Sequence, residues 1–405
     1  MNKMKKWLSV ILSVCLLGAL LLPAAAAAVD TSRPTAAHLT FNSDGKLKIL
    51  QLADIQDDAA LSLISKKTIR LAIEASKPDL IMLTGDNIAG YSCKTKGLAR
   101  TALANVMNIL DDYNIPVAMV FGNHDDDGTP YTKLEQIAQY ETYNCFIGCA
   151  GVVAEKTVGD NTTTNAGTYN IPVFADKDSD KVVFNIWCID SGNYNPDPAY
   201  GGYGYVLPEQ IDWYRETAEA LKAANDGQPV PSIAFQHIVP PQIADALQEA
   251  DANAPGAIAF AGKYYVLPDG TDPATNWLTE APCPPSLACA DGYNEVNAML
   301  EEGDVKAIFF GHDHINSYVV NYNGIDLVSS PGCTYQSYND EHRGFRVITI
   351  DKNDPSTYTS EILLATELME SDPAGSFMIK FQTFFDKIGM FFVNLWNKTT
   401  AIFNK

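Results

Sequence analysis

The chain has 405 residues, 46% hydrophobic and 19% charged, the balance of a globular protein long enough for one large α/β domain or two smaller ones. Its formal net charge of −21 argues against a nucleic-acid-binding surface, which gains affinity by setting Lys and Arg against phosphates, and it disfavours polyanionic substrates. A small phosphate ester stays open, because bound metal ions reverse the local field whatever the global charge.

At the start, Lys3, Lys5 and Lys6 precede an apolar run from Trp7 to Leu22, then Pro23 and alanines to Ala28. A basic head, an apolar middle and small residues before a cut make a signal peptide over residues 1–28, and hence a secreted or extracytoplasmic protein. The other reading of the same run is a retained membrane anchor. Cys15 leaves with the signal, so eight cysteines fall to seven and at least one thiol stays unpaired within the chain. Cys283 and Cys289 bracket a Pro-rich loop and are the pair expected to be bridged in an oxidising compartment; the offset between Cys145 and Cys149 suits a helix face better than a disulfide.

Residues 29–370 read as one domain. Short apolar runs at Leu47–Ala53, Leu80–Thr84, Val117–Phe121, Ile233–Gln236 and Val305–Phe310 show little alternation and end in turn residues, as strands buried on both faces do. Leu61–Ser76, Gly97–Tyr113 and Leu134–Tyr143 carry apolar residues at helical spacing. Alternating strand and helix predicts a layered α/β fold with functional groups at the carboxyl ends of the strands. The segment 240–294, rich in Pro, Gly, Ala and Asp, reads as an insertion, able to lie over a site as a lid. Strand-like pieces at Tyr318–Tyr322, Asp326–Ser329, Phe345–Ile350 and Thr357–Leu364 read as an antiparallel edge of the same domain. Over 376–405, Phe377, Phe381, Phe384, Ile388, Phe391 and Leu395 fall on one stripe of an amphipathic aromatic helix. Two roles stay open for it: contact with a membrane or cell envelope, or docking on its own domain or a partner subunit.

The chemistry-bearing residues collect at strand ends: Ala53-Asp54-Ile55-Gln56, Gly85-Asp86-Asn87, Gly122-Asn123-His124-Asp125, Gln236-His237 and Gly311-His312-Asp313-His314. Any one of them alone is a helix cap or a satisfied structural histidine. Together they place carboxylates, an amide and four of the six histidines where the fold would converge them. Oxygen and imidazole donors without thiolate suit divalent manganese, iron or zinc, and two such ions sharing a carboxylate make a hydrolytic site.

This order of motifs resembles the calcineurin-like metallophosphoesterases over about Lys46 to Leu364, and within them the purple-acid-phosphatase-related proteins of the Dcr2 type. The resemblance implies two packed mixed β-sheets flanked by helices, a four-layer αββα arrangement. It also implies that Asp54 and His314 hold the first metal, that Asp86 bridges both, and that Asn123, His237 and His312 hold the second. His124 would protonate the leaving oxygen or stabilise the transition state, with Asp125 orienting it, while a metal-bridging hydroxide attacks phosphorus. Two positions depart from the pattern. Gln56 stands where many members have His, giving the first metal a neutral, weaker ligand. Ala89 stands where the purple enzymes place the Tyr that colours their iron, so a colourless enzyme is expected.

Of the remaining candidates, Gly201-Gly202-Tyr203-Gly204 reads as a flexible aromatic turn near the site, Ser191 and Ser330 lack a nucleophile-elbow context, and Arg343 could meet a substrate phosphate but is rather expected to pair with a local carboxylate. The expected activity is hydrolysis of small phosphomonoesters. The alternatives are a phosphodiesterase of the same fold, or a metal-stabilised envelope-binding protein whose catalysis has decayed.

Overall fold

The structure, a computed structural model, describes residues 38–380. The expected signal segment, and the expected aromatic tail beyond Lys380, lie outside the described residues.

Residues that bury both faces of a strand sort by parity. In β2 (Lys46–Leu52), Leu47 and Ile49 point to one side and Leu50 and Leu52 to the other, and all four are fully buried. Such strands need cover on two sides, which a four-layer stack supplies. One layer is a sheet in which β2, β3 (Leu80–Thr84) and β4 (Val117–Val120) run parallel, bordered on the β2 side by antiparallel β15 (Gly344–Asp351) and β16 (Asp354–Leu364). The second sheet has β6 (Asn161–Phe174), β7 (Val182–Cys188), β8 (Ser232–Phe235), β12 (Val305–Phe310), β14 (Ile325–Ser329) and β13 (Tyr318–Tyr322) side by side, with β1 (Leu39–Thr40) and β5 (Val152–Val158) on β6. Its β7, β8, β12 and β14 are parallel.

Between the sheets lies an apolar layer in which Leu47, Ile49, Met82 and Val120 meet Ile186, Phe235, Phe309 and Val328. Phe235 and Phe309 stack there at 5.3 Å. Each such side chain contributes about 1.5–3 kcal/mol relative to exposure. Helices α1 (Leu63–Ser76), α2 (Lys96–Asp111) and α3 (Lys133–Tyr140) cover the outer face of the first sheet. Side-chain caps at Ser62, Thr95 and Thr132 fix their starts, the last as a capping box with Glu135. The outer face of the second sheet is covered by α4 (Pro208–Ala224) and by α6 (Asn294–Glu302), which ends at Gly303 in the left-handed region.

The intervening segment forms α5 (Ile243–Ala246) and a small sheet of β9 (Gln248–Glu249), β10 (Ile258–Phe260) and β11 (Lys263–Val266). It reaches the metal-motif loop, for Trp277 pairs with Ser317 and Cys283 N–H donates to Asp313 Oδ1 at 3.2 Å. α7 (Ala365–Ser371) closes the domain against α1 and β16. Among the described residues no helix is long and apolar enough to cross a membrane.

Two expectations need correction. The late strands are not one edge: β13 and β14 finish the second sheet, with β14 parallel to β12, whereas β15 returns to the first sheet and pairs between β2 and β16. Nor are Cys283 and Cys289 bridged. All seven described cysteines are free; Cys289 is buried with Ala154, Tyr205 and Leu207, while Cys283 stays exposed with its thiol directed to Ala281 O at 3.5 Å.

Candidate metal centre

The two sheets divide the donor types between them. Asp54, Asp86 and Asn123 follow β2, β3 and β4 of the first sheet, and His237, His312 and His314 follow β8 and β12 of the second. Oxygen donors come from one sheet and imidazoles from the other, meeting where the parallel strands end.

Close approach requires glycine just before the donors. A Cβ on Gly85, which has φ +84°, would lie 2.6 Å from the His237 ring. On Gly122 it would collide with Asp86 Oδ1, and on Gly311 it would lie 2.5 Å from Asp54 Oδ2. Four of the non-glycine residues at positive φ also belong to this cluster: Asp54 (52°), Gln56 (42°), Asp86 (51°) and His312 (72°). Backbone strain of about 1–3 kcal/mol per residue is characteristic of functional sites held by a rigid scaffold.

Asp54, Asp86 and His237 present ligand atoms all within 4.8 Å of one another. His237 Nδ1 donates to Thr84 O at 2.9 Å, which leaves Nε2 as the inward donor. That Nε2 lies 3.4 Å from Asp86 Oδ1, 3.2 Å from Asn123 Oδ1 and 3.2 Å from His312 Nδ1. His314 repeats the device, its Nδ1 bonded to Tyr338 O at 3.0 Å and its Nε2 facing Asp54 Oδ1 at 3.3 Å. Asp54 is held in turn by His312 N–H. The convergence of two carboxylates, one amide oxygen and three imidazole nitrogens, all buried, fits divalent cations of borderline hardness.

The electrostatics agree. Burial works against charge at His237, but the Asp86 carboxylate outweighs it and pushes the imidazole up to about 10. Burial likewise opposes ionisation of Asp86, and His237 overrides it and holds the carboxyl below its usual range. His312, buried and next to a charged His237, is pushed well down, toward the neutral form that ligates metal. A divalent cation placed in the field that holds the proton on His237 competes with that proton for Nε2.

Gln56 is buried beside the cluster and donates Nε2–H to Asp86 Oδ2 at 3.4 Å. In this geometry it acts as a hydrogen-bond donor to the Asp86 carboxylate. His124 stands at the rim, its backbone N–H on Asp86 Oδ1 at 2.7 Å and its half-exposed ring edge-on to Tyr91.

The orienting role expected of Asp125 is corrected. Asp125 is fully buried and turns inward, accepting the backbone N–H groups of Asn87, Ile88 and Gly122 at 2.8, 3.1 and 2.7 Å. Burial, with the Asp86 charge nearby, pushes its carboxyl up to about 8. The partner of His124 is Asp127, whose Oδ2 lies 3.2 Å from Nδ1. Arg343 is corrected too: it lies over the Tyr335 ring at 4.3 Å and donates to Thr334 O. Tyr194, Tyr203 and Tyr338 also border the cluster. Only Tyr203 carried a sequence signal, its glycine-rich turn; Asp127 sits three residues beyond His124, a spacing that would have marked it.

Compared with known proteins, residues 47–316 match the family model described as calcineurin-like phosphoesterase. The chain belongs to that family. Curated relatives include "Probable inactive purple acid phosphatase 29" of Arabidopsis thaliana, 26% identical over 78% of this chain and 79% of the relative. "Phosphatase DCR2" of Saccharomyces cerevisiae is 25% identical over 72% of this chain and 47% of that one. Among solved structures, a dimetal phosphatase from Danio rerio aligns over 78% of this chain and 98% of its own, at 11% identity and a TM-score of 0.41. This calcineurin-like chain thus has the family's mixed sheets flanked by helices and, in Asp54, Asp86 and His237, a ligand group of the kind its dinuclear centres use.

Proposed function

We propose that the protein is an exported phosphomonoesterase that works with two divalent metal ions. The observation that carries the reading is Asp86, which lies 3.4 Å from His237 Nε2, accepts Gln56 on its other oxygen and receives the backbone N–H of His124. A carboxylate so placed serves both half-sites and ties the rim histidine to them. Asp54 and His314 would hold one ion and Asn123, His237 and His312 the other. Bound there, the ions supply Lewis acidity toward the phosphoryl oxygens and activate water. His124, oriented by Asp127, holds a proton at the rim for the departing alkoxide oxygen. Export rests on the basic, apolar and alanine-rich order of residues 1–28.

The family contains relatives named inactive, and a decayed site is the second reading. What favours it is Gln56, which offers an amide hydrogen to Asp86 at the position where the family resemblance implies a histidine ligand. One experiment separates the two: the manganese-loaded chain and Asp86→Ala are compared on a mono- and a diester nitrophenyl phosphate. The expected outcome is monoester hydrolysis roughly a thousand-fold above the variant, with the diester slower. Equal rates for both proteins on both substrates would sink the enzymatic reading.

A further inference from the structure

Four tyrosines border the metal cluster. Tyr91 stands edge-on to His124 at 5.0 Å, Tyr203 edge-on to His312 at 4.2 Å, and Tyr338 lies flat on His314 at 4.1 Å. Tyr194 stacks with Tyr203 at 6.0 Å, and its hydroxyl lies 3.5 Å from Asn123 Nδ2. Tyr91, Tyr194 and Tyr338 are 41%, 40% and 59% exposed, so their rings present open aromatic surface at the mouth of the site. Such a surface beside buried polar donors is where a substrate's non-reacting part makes contact.

Carboxylates accompany these rings. Tyr194 OH donates to Asp127 Oδ2 at 3.3 Å, the same oxygen that faces His124, and Tyr338 OH donates to Glu280 Oε2 at 3.0 Å. Burial raises all four phenols, Tyr194 to about 12; neighbouring carboxylates add to it at Tyr91, Tyr194 and Tyr338, and at Tyr203 the Cys283 thiol does so ahead of Asp313 and Asp86. Among the described residues no Lys or Arg makes a hydrogen bond, ion pair or cation–π contact with His124, Asp127 or these tyrosines, though Lys94 Nζ lies close to Gly128, next to Asp127. An anionic leaving group would therefore meet repulsion outside the metal cluster. A cationic one would meet ring faces, whose quadrupole attracts ammonium groups, and the Asp127 charge.

We propose that Tyr91, Tyr194 and Tyr203, together with Asp127, form a subsite for an ammonium-bearing alcohol, so that the preferred substrates are phosphomonoesters of quaternary amino alcohols such as phosphocholine. This rests on the phosphomonoesterase reading. Hydrolysis adds water across the P–O bond, giving inorganic phosphate and choline, the alcohol oxygen taking its proton on the His124 side.

The test uses the manganese-loaded full chain with phosphocholine and with 3,3-dimethylbutyl phosphate, which has the same shape with carbon in place of nitrogen. The subsite predicts kcat/KM about ten-fold higher for the charged ester. The pair Tyr91→Leu and Tyr203→Leu brings the ratio near one, whereas Tyr91→Phe and Tyr203→Phe, which keep the ring faces, retain it. As a ratio it is insensitive to the fraction of loaded enzyme. A second arm needs no turnover: titration of choline, 3,3-dimethylbutanol and benzyl alcohol into the metal-loaded protein, read from tyrosine fluorescence and ring proton shifts. Choline is expected to bind tightest, and to lose that lead in the leucine pair. Equal binding of choline and its neutral analogue, or tighter binding of benzyl alcohol, overturns the proposal. If no ester is hydrolysed the phosphatase reading fails by itself, and the binding arm still decides whether the rim recognises cations.

Discussion

At the scale of single residues, neighbours in sequence have opposite duties. Asp125 and Asp127 flank one loop, yet the first supports three backbone N–H groups in the interior and the second meets His124 at the surface. Asp127→Asn should therefore lower kcat by about ten-fold with the urea midpoint nearly unchanged. Asp125→Ala leaves buried donors without acceptors and should cost about 2–4 kcal/mol in the same denaturation experiment. The reverse pattern would return the orienting role to Asp125. Gln56→His replaces an amide that donates to Asp86 with an imidazole, and calorimetric titration of manganese should show roughly ten-fold tighter binding at one of two sites. Unchanged affinity would mean that Gln56 already ligates.

At the scale of elements, the strand-end glycines decide how near the two sheets bring their donors. Gly85→Ala combines a side chain at φ +84° with a Cβ 2.6 Å from the His237 ring. The expected result is a loss of about 1–3 kcal/mol in stability together with less than full metal occupancy, read by elemental analysis. Full occupancy would show that the ring yields cheaply. What the sequence made legible follows the same physics. Strands β2, β3, β4, β8 and β12 are buried on both faces, so their apolar runs stand out, and the polar residues closing them mark the donors. β6 is less legible because it opens with Asn161-Thr162-Thr163-Thr164, exposed at its start and buried only later, which breaks any single period. The tyrosine rim has no such period, because Tyr91 sits in a short 3-10 helix, Gly90–Ser92, and Tyr194 and Tyr338 in separate connecting loops. Asp125 adjoins His124 along the chain yet turns to the Asn87 and Gly122 backbone, because adjacency in sequence does not fix contact.

For the whole molecule, one buried acid that is not itself a donor sets a pH dependence. Glu295 is buried, with Gln236 Nε2 at 3.4 Å as its side-chain partner among the described residues, and burial raises its carboxyl from 4.5 to about 8. Between those values the native state keeps a proton that the unfolded chain releases, so this group's stabilisation is full below about pH 4.5 and is lost as pH rises through 8. Glu295→Gln should flatten that part of the stability profile and raise the melting temperature at pH 8, measured by calorimetry from pH 5 to 8; an unchanged slope would place the dependence elsewhere. The division of donors between the sheets has a mechanical consequence. With oxygen ligands fixed to one sheet and nitrogen ligands to the other, the distance across the cluster is the thickness of the apolar layer that Phe235 and Phe309 fill. The centre is thus a gauge of that layer: a bulkier side chain there, itself no ligand, widens the jaws that grip the ions and reports itself as weaker metal binding before it registers as unfolding.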